Sequence, residues 1–273
     1  MNTWKKYNGA LIPESPPHIN NKVDLIYINK EISKQKAFFA RWISDFDRVK
    51  KSNFWYLIND NCLTLEDYSV NTRSKIRRGF KSLEVKKIDK IKMLDSGYSV
   101  YSSAFKRYKT INRPMLRSEF VDYIQKLDKS WEFWGVFNKK NNLLVAYSQN
   151  KVVDNQCYYS TIKFHVDHLK KYSSYILYYT MNNYYLKEMK LSYVNEGTRS
   201  ILHETNVQSF LVDKFKFRKA YCKLHIQYHQ LIKPLVYFLY PFRWLFIKSR
   251  ISLVHKIGVV LKQEEYHKQS QIE

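Results

Sequence analysis

The sequence predicts an α/β fold, with a mixed central sheet, flanking helices and a C-terminal helical extension. Three observations predict it. Three strand-like runs separated by polar turns lie between Glu132 and Phe164. Apolar residues at intervals of three and four mark helices on both sides of that block. The chain then runs strand, helix, strand, ending in a two-residue alternation up to His229. The order is helices, meander, helix, strand, helix, strand, which differs from an alternating βα wind.

Taken in order, the first twenty residues contain Pro13, Pro16 and Pro17 and read as an extended lead-in unable to continue a helix. Strands are expected at Phe38 to Ile43 and Phe54 to Ile58, and a helix from Leu65 to about Phe80. Leu83 to Ile88 reads as a short strand. Leu94, Tyr98, Tyr101, Phe105 and Tyr108 share one helical face, as do Phe120, Ile124 and Leu127 within a helix from Arg117 to Leu127. Glu132 to Phe137, Leu143 to Gln149 and Cys157 to Phe164 form the meander. Tyr172, Tyr175, Ile176, Tyr179 and Leu186 mark the next helix, and Leu191 to Asn195 the next strand. Thr205 and Gln208 form a capping box for a helix whose apolar face is Val207, Phe210, Leu211 and Phe215. From Ala220 to His229, Cys222, Leu224, Ile226 and Tyr228 alternate with Lys223, His225, Gln227 and His229, as in a half-buried strand. The organisation is therefore an N-terminal extended and strand region (1–62), an α/β domain (63–229) and a basic amphipathic helical extension (230–273).

The 273 residues are 45% apolar and 16% aromatic, enough for a substantial core, which excludes a disordered chain. Lys and Arg outnumber Asp and Glu by 47 to 24, so the molecule attracts polyanions: nucleic acid, anionic lipid or phosphorylated substrates. A Lys-favouring codon usage also produces such an excess. The clustering is more specific, because eleven Lys or Arg and no acidic residue lie between Asp213 and Glu264. Cys62, Cys157 and Cys222 form neither a disulfide framework nor a zinc spacing, Cys222 reads as core, and no metal site is expected. Met1 to Lys6 lacks the apolar run of a secretory signal, and a cytoplasmic location is expected.

Arg73, Arg77 and Phe80 fall at i, i+4 and i+7, with Lys75, Arg78 and Lys81 beside them. Like charges at that spacing repel. An anionic partner such as a carrier-lipid phosphate, a tRNA backbone or a nucleotide sugar would relieve the repulsion, and the alternative is a solvated basic face. Leu231 to Ile247 is rich in Leu, Tyr, Phe and Trp but contains Lys233, Pro234, Pro241 and Arg243, so it fails as a membrane span. Ile247, Ile251, Val254, Gly258 and Leu261 share a face, with Arg250, Lys256 and Lys262 off it and Trp244 at its start. Either a basic interfacial helix on an anionic membrane, with Trp244, Arg250 and Lys256 facing it, or a helix pair docked over the domain satisfies this pattern.

Two segments carry a family resemblance. Asn71 to Phe80 (Asn-Thr-Arg-Ser-Lys-Ile-Arg-Arg-Gly-Phe), followed by the strand at Leu83, resembles the basic helix that opens the second repeat of Fem-type aminoacyl transferases. The stretch Tyr193, Val194, Asn195, Glu196, Gly197, His203, Glu204, Thr205, Asn206, Phe210, Leu211, Lys214, Phe215, Phe217 and Arg218 is similar to that family's strand, Gly-containing turn and final helix. The resemblance spans about Leu65 to His229. It implies a GNAT-like (acyl-CoA N-acyltransferase) fold and transfer of an aminoacyl or small acyl group to an amine or hydroxyl. The implied acceptor is an envelope glycan or lipid-linked precursor at the cytoplasmic membrane face.

The same resemblance places the site where the strands at 157–164 and 191–195 splay apart. Glu196 becomes the candidate proton acceptor, the alternative being a solvated turn carboxylate. His203 and Glu204 are further catalytic candidates or else helix-start residues, and Asn206 is open to the same two readings. Where GNAT acetyltransferases place a glycine-rich phosphate turn, this chain has Lys170, Lys171, Tyr172, Ser173 and Ser174, so Lys170, Lys171 and Ser173 would meet phosphate through side chains. Arg73, Lys75, Arg77, Arg78 and Asn206 complete the expected donor- or substrate-binding set. The segment 1–60 is too short for a first full repeat. No tightly bound cofactor is expected, and the donor would be aminoacyl-tRNA or acyl-CoA. A non-catalytic protein binding RNA or anionic glycan on the same scaffold is the second reading. A conventional acetyltransferase is a third, disfavoured by the missing glycines. Oligomeric state is left open.

Overall fold

A computed structural model describes residues 3–20, 22–108, 113–201, 206–247 and 251–271. In chain order its elements are β1 (Trp4–Tyr7), β2 (Ala10–Pro13), α1 (Leu25–Lys34), β3 (Phe39–Arg48), β4 (Trp55–Asn59), α2 (Val70–Ser82), β5 (Leu83–Ile88), α3 (Lys90–Phe105), α4 (Arg117–Gln125), β6 (Trp131–Asn138), β7 (Leu144–Val153), β8 (Gln156–Phe164), α5 (Ser173–Asn182), β9 (Tyr193–Thr198), α6 (Asn206–Phe215), β10 (Arg218–Tyr228), α7 (Ile232–Leu239), α8 (Arg243–Ile247) and α9 (Ser252–Gln271). They divide into two compact units. One comprises Met1–Leu57, Thr198–Gln208 and Lys219–Glu273, the other Ile58–Gly197 and Ser209–Arg218.

In the second unit the strand order is β9-β8-β7-β6-β5. The β5·β6, β6·β7 and β7·β8 pairs are antiparallel and β8·β9 is parallel, so the expected meander is present with β5 added to its edge. Alternate residues along each strand face opposite sides. Phe133, Phe137, Leu144 and Tyr147 pack with Met93, Val100, Tyr101, Phe120 and Ile124 of α3 and α4. On the opposite side, the Trp134 indole N–H donates to the Tyr185 hydroxyl at 2.9 Å, and the Tyr159 ring lies 6.0 Å from that of Tyr178 in α5.

The helix expected over 65–80 is interrupted. Thr64 and Asp67 close a separate 3-10 turn at Leu65–Asp67, Tyr68 is extended, and the Ser69 hydroxyl starts α2 by accepting from the Thr72 N–H. The helix from Ser173 ends with a π-turn over Asn183–Glu188, an arrangement that periodicity does not encode.

The first unit has the order β1-β2-β3-β10. Its N-terminal segment departs from the expected lead-in, because β1 and β2 form a hairpin with Trp4 opposite Pro13. Asn8 (φ 48°) and Gly9 (φ 82°) make its two-residue turn, the Asn-Gly pair that suits the twist of such hairpins. β2 and β3 run parallel, which requires a crossover. Helix α1 supplies it, capped by the Asp24 carboxylate and seated by Ile28 and Ile32 against Leu11, Ala37 and Ala40. β10 pairs antiparallel with β3, from Phe39 opposite Tyr228 to Arg48 opposite Tyr221. Cys222 is buried there among Ile43, Phe54, Leu224 and Tyr266.

The last helix docks on this sheet. The Ser270 hydroxyl accepts from the Leu224 N–H (3.0 Å), the Gln271 amide donates to the Leu224 carbonyl (2.9 Å), and the Tyr228 hydroxyl donates to Glu264 (2.9 Å). Gly258 permits close approach to α8, since a Cβ there would lie 2.8 Å from the Phe246 carbonyl oxygen. Of the face drawn through Ile247, Ile251, Val254, Gly258 and Leu261, Gly258 and Leu261 are buried and Ile251 is exposed. The docked alternative therefore describes α9, held by the Leu224 backbone, the Tyr228 hydroxyl and the burial of Leu261 against Phe39, Tyr228 and Val236.

Candidate functional site

β8 and β9 pair over only three positions: Gln156 with Tyr193, Cys157 with Val194, and Tyr158 with Asn195. Beyond them β9 leaves β8. Two buried side chains fix the departure. The Asn195 amide donates to the Gln156 side chain (2.8 Å), while its oxygen accepts from the Gly197 N–H (2.8 Å). Gly197 adopts φ 104°, a conformation that L side chains rarely take, and its Cα faces the Tyr158 ring. Between Asn195 and Gly197 stands Glu196, at the mouth of the fork.

As a residue Glu196 is half-buried, yet its Oε2 is closed to solvent and has no hydrogen-bond partner. Burial pushes its carboxyl up to about 8, and the Tyr178 hydroxyl beside it pulls partly the other way. Tyr178 and Tyr159 are themselves held neutral by burial. Glu196, the expected proton acceptor, thus lies at the strand fork with one carboxyl oxygen closed to solvent. Burial therefore favours the protonated form of the carboxyl near neutral pH, a form able to donate a proton.

α2 and the start of α5 lie against each other. Gly79 makes this approach possible, since a Cβ there would sit 2.6 Å from Ile176 Cγ2 and 3.3 Å from the Tyr172 carbonyl oxygen. The Lys75 ammonium donates to the Tyr175 hydroxyl at 3.2 Å. The Arg78 guanidinium lies 4.8 Å from the centre of the Tyr172 ring. Tyr172 precedes α5 in a left-handed conformation (φ 61°), Ser173 is the buried first residue of the helix, Lys170 is exposed and Lys171 half-buried. The two basic segments singled out in the sequence thus converge through Tyr172 and Tyr175.

Arg73 and Arg77 behave differently. Arg73 donates to the Glu66 carbonyl (3.0 Å) and pairs with its carboxylate (3.2 Å), and Arg77 pairs with the same carboxylate at 3.1 Å. The repulsion that was expected to call for an outside anion is relieved in part by Glu66. Asn206 is the exposed first residue of α6 and belongs to the other unit. His203 and Glu204 lie outside the described residues, as does Arg250.

Sequence reasoning missed Tyr178, which sits beside the carboxyl, and the pair His165 and His168, whose rings are 5.4 Å apart just after β8. Neither His Nδ1 has a hydrogen-bond partner, although that of His165 is 3.7 Å from Asp167, and burial lowers the His168 pKa. The i, i+3 spacing of the histidines was the available signal. Nothing local marks Tyr178 among 23 tyrosines. Among the described residues, no group of His, Cys, Asp and Glu is arranged to hold a metal ion, and no helix is long and apolar enough to cross a membrane.

The sequence matches no protein-family profile and no curated protein. Solved structures do match. FemX superimposes with a TM-score of 0.58 at 12% identity, covering 86% of this chain and 85% of that one. The C-terminal domain assigned as a lysylphosphatidylglycerol synthetase from Agrobacterium fabrum gives 0.58 at 12% identity, covering 86% and 84%. L-PGS from Bacillus licheniformis gives 0.52 at 12% identity, covering 95% and 84%.

Proposed function

We infer that the chain is a Fem-like transferase on the GNAT fold, from the fold it shares with FemX and the lysylphosphatidylglycerol synthetase domains. We propose that the protein is an acyltransferase moving an aminoacyl or small acyl group from a carrier to an amine or hydroxyl. We place its acceptor among envelope glycans or their lipid-linked precursors at the cytoplasmic membrane face. The observation that carries the chemistry is the protonatable Glu196 carboxyl at the strand fork, in the same unit as the cationic entrance to α5. The acceptor class rests on the kinship of fold with proteins named for envelope lipid and Fem chemistry.

In the reaction the acceptor nitrogen or oxygen bonds to the acyl carbon, the bond to the carrier breaks, and the acceptor's proton ends on the carrier's oxygen or sulfur. Glu196, protonated at rest, donates to the departing group, and its carboxylate then takes the acceptor's proton, restoring the starting state. Lys75, Arg78, Lys170, Lys171 and Ser173 would receive the carrier's phosphates, with Arg73 and Arg77 reinforcing the field. Side-chain cations stacked on tyrosines suit a sugar-phosphate backbone better than a compact diphosphate that needs bare N–H groups. This favours aminoacyl-tRNA over acyl-CoA as donor, and the conventional acetyltransferase reading is correspondingly weaker. Mass spectrometry of acceptor mixtures incubated with the purified protein and either donor tests this. Acyl transfer lost in Glu196→Gln is the expected result. Failure with every donor, alongside tight polyanion binding, would replace it with the second reading, a non-catalytic binder of RNA or anionic glycan. The charge of +23 and the shortage of glycine at α5 favour that second reading.

A further inference from the structure

The segment joining β10 to α9 is apolar on two faces. Ile232, Leu239, Tyr240 and Phe246 pack around the buried Val236, Phe39, Tyr228 and Leu261. The other face carries Leu231, Leu235, Phe238, Phe242 and Leu245, spaced alternately four and three residues apart, and every one is exposed. Leu231 is 80% exposed, Phe238 72% and Trp244 63%. A run of large apolar side chains of this length in water is costly and marks an interaction surface.

We propose that the outer face of α7 and α8 lies in the interfacial plane of an anionic lipid bilayer. The inference deepens the membrane-face part of the proposed function and does not depend on its chemistry. Three observations choose lipid over a second copy of the chain. The segment that bears the face, Leu231 to Ile247, holds Lys233 and Arg243 and no acidic residue, with Arg243 paired to Glu265 and Lys233 exposed, so apposing two copies would bring like charges together. Exposed Lys233 at one end and exposed Lys256 on α9 supply cations that match anionic headgroups. Trp244 and Tyr237 are amphipathic rings of the kind that settle at headgroup depth, and both are exposed. The membrane-facing residues anticipated from sequence are thereby redistributed. Trp244 keeps that role, Lys256 contributes only charge, and the apolar contact moves from α9 to α7 and α8.

The test is flotation of the full chain with vesicles of phosphatidylcholine alone or with about 30% phosphatidylglycerol. Binding at least tenfold stronger to the anionic vesicles is expected. It should fall at least tenfold in Phe238→Asp with Trp244→Asp and weaken in 0.5 M salt, with the urea midpoint unchanged because both side chains are exposed. Equal binding of variant and parent, or no binding to either vesicle, overturns the proposal. So does a dimer in light scattering without lipid that the same two substitutions dissolve, which would assign the face to a second copy. Loss of vesicle binding with acyl transfer to a soluble amine intact separates this failure from failure of the transferase reading.

Discussion

The Lys75 ammonium donates to the Tyr175 hydroxyl across 3.2 Å, although one hundred positions separate the two in sequence. That contact, with Arg78 over Tyr172, ties a basic helix to the start of the helix where a phosphorylated donor would approach. It also sets apart, among the five cations of α2, a pair engaged with tyrosines from a pair, Arg73 and Arg77, engaged with Glu66.

Lys75→Ala with Arg78→Ala should therefore weaken binding of tRNA or another polyanion about tenfold or more and flatten its salt dependence, each lost phosphate contact lowering the slope by about 1. Arg73→Ala with Arg77→Ala should cost less, since Glu66 already screens those charges. Filter binding at several salt concentrations measures both. Equal losses in the two pairs would mean that the division made by Glu66 has no bearing on binding.

Glu196→Gln should stabilise the fold in a pH-dependent way. The carboxyl is raised from its ordinary 4.5 to about 8, so below 4.5 it is protonated folded or unfolded and contributes no pH dependence. Between about 4.5 and 8 the unfolded chain releases the proton while the folded chain keeps it, and wild-type stability falls as pH rises. The variant lacks that fall, and its advantage should grow across this window to on the order of 4–5 kcal/mol. Urea unfolding at pH 5 and pH 8 checks the sign, and a variant advantage that is the same at both pH values would show that the carboxyl is already ionised in the fold.

Gly79→Ala should destabilise by about 1–3 kcal/mol through overpacking, even though alanine is the better helix former by about 1 kcal/mol. The added methyl would meet Ile176 Cγ2 at 2.6 Å, and the backbone carbonyl of Tyr172 limits retreat. A shift of the urea midpoint at constant slope is the expected signature.

Removing residues 252–273 should leave an insoluble chain. Phe39, Tyr228 and Val236 would lose Leu261 from their cluster, and Leu224 would lose its partner Ser270. Soluble expression with an unchanged melting temperature would contradict the docking described for α9.

Much of the fold was legible locally. The meander followed from alternation broken by turn residues, α4 from Phe120 and Ile124, and β10 from its two-residue period, because those signals live within a few residues of chain. The Asn8-Gly9 turn and the Asp24 cap before Ile28 and Ile32 are equally local, but Pro13, Pro16 and Pro17 make the first twenty residues read as a lead-in, and β1, β2 and α1 have no counterpart among the expected elements. Glu196 was identifiable from its place after a strand and before a glycine. Its protonation state was not, because that depends on how far neighbouring chain segments exclude water. Likewise the sequence displays the cations of α2 and of residues 170–171 without saying which will stack on tyrosine and which will face Glu66. Local order is written in propensity, period and caps. Burial of a charge, division of a basic face and docking of a terminal helix are sums over contacts distant in sequence, and only tertiary packing determines them.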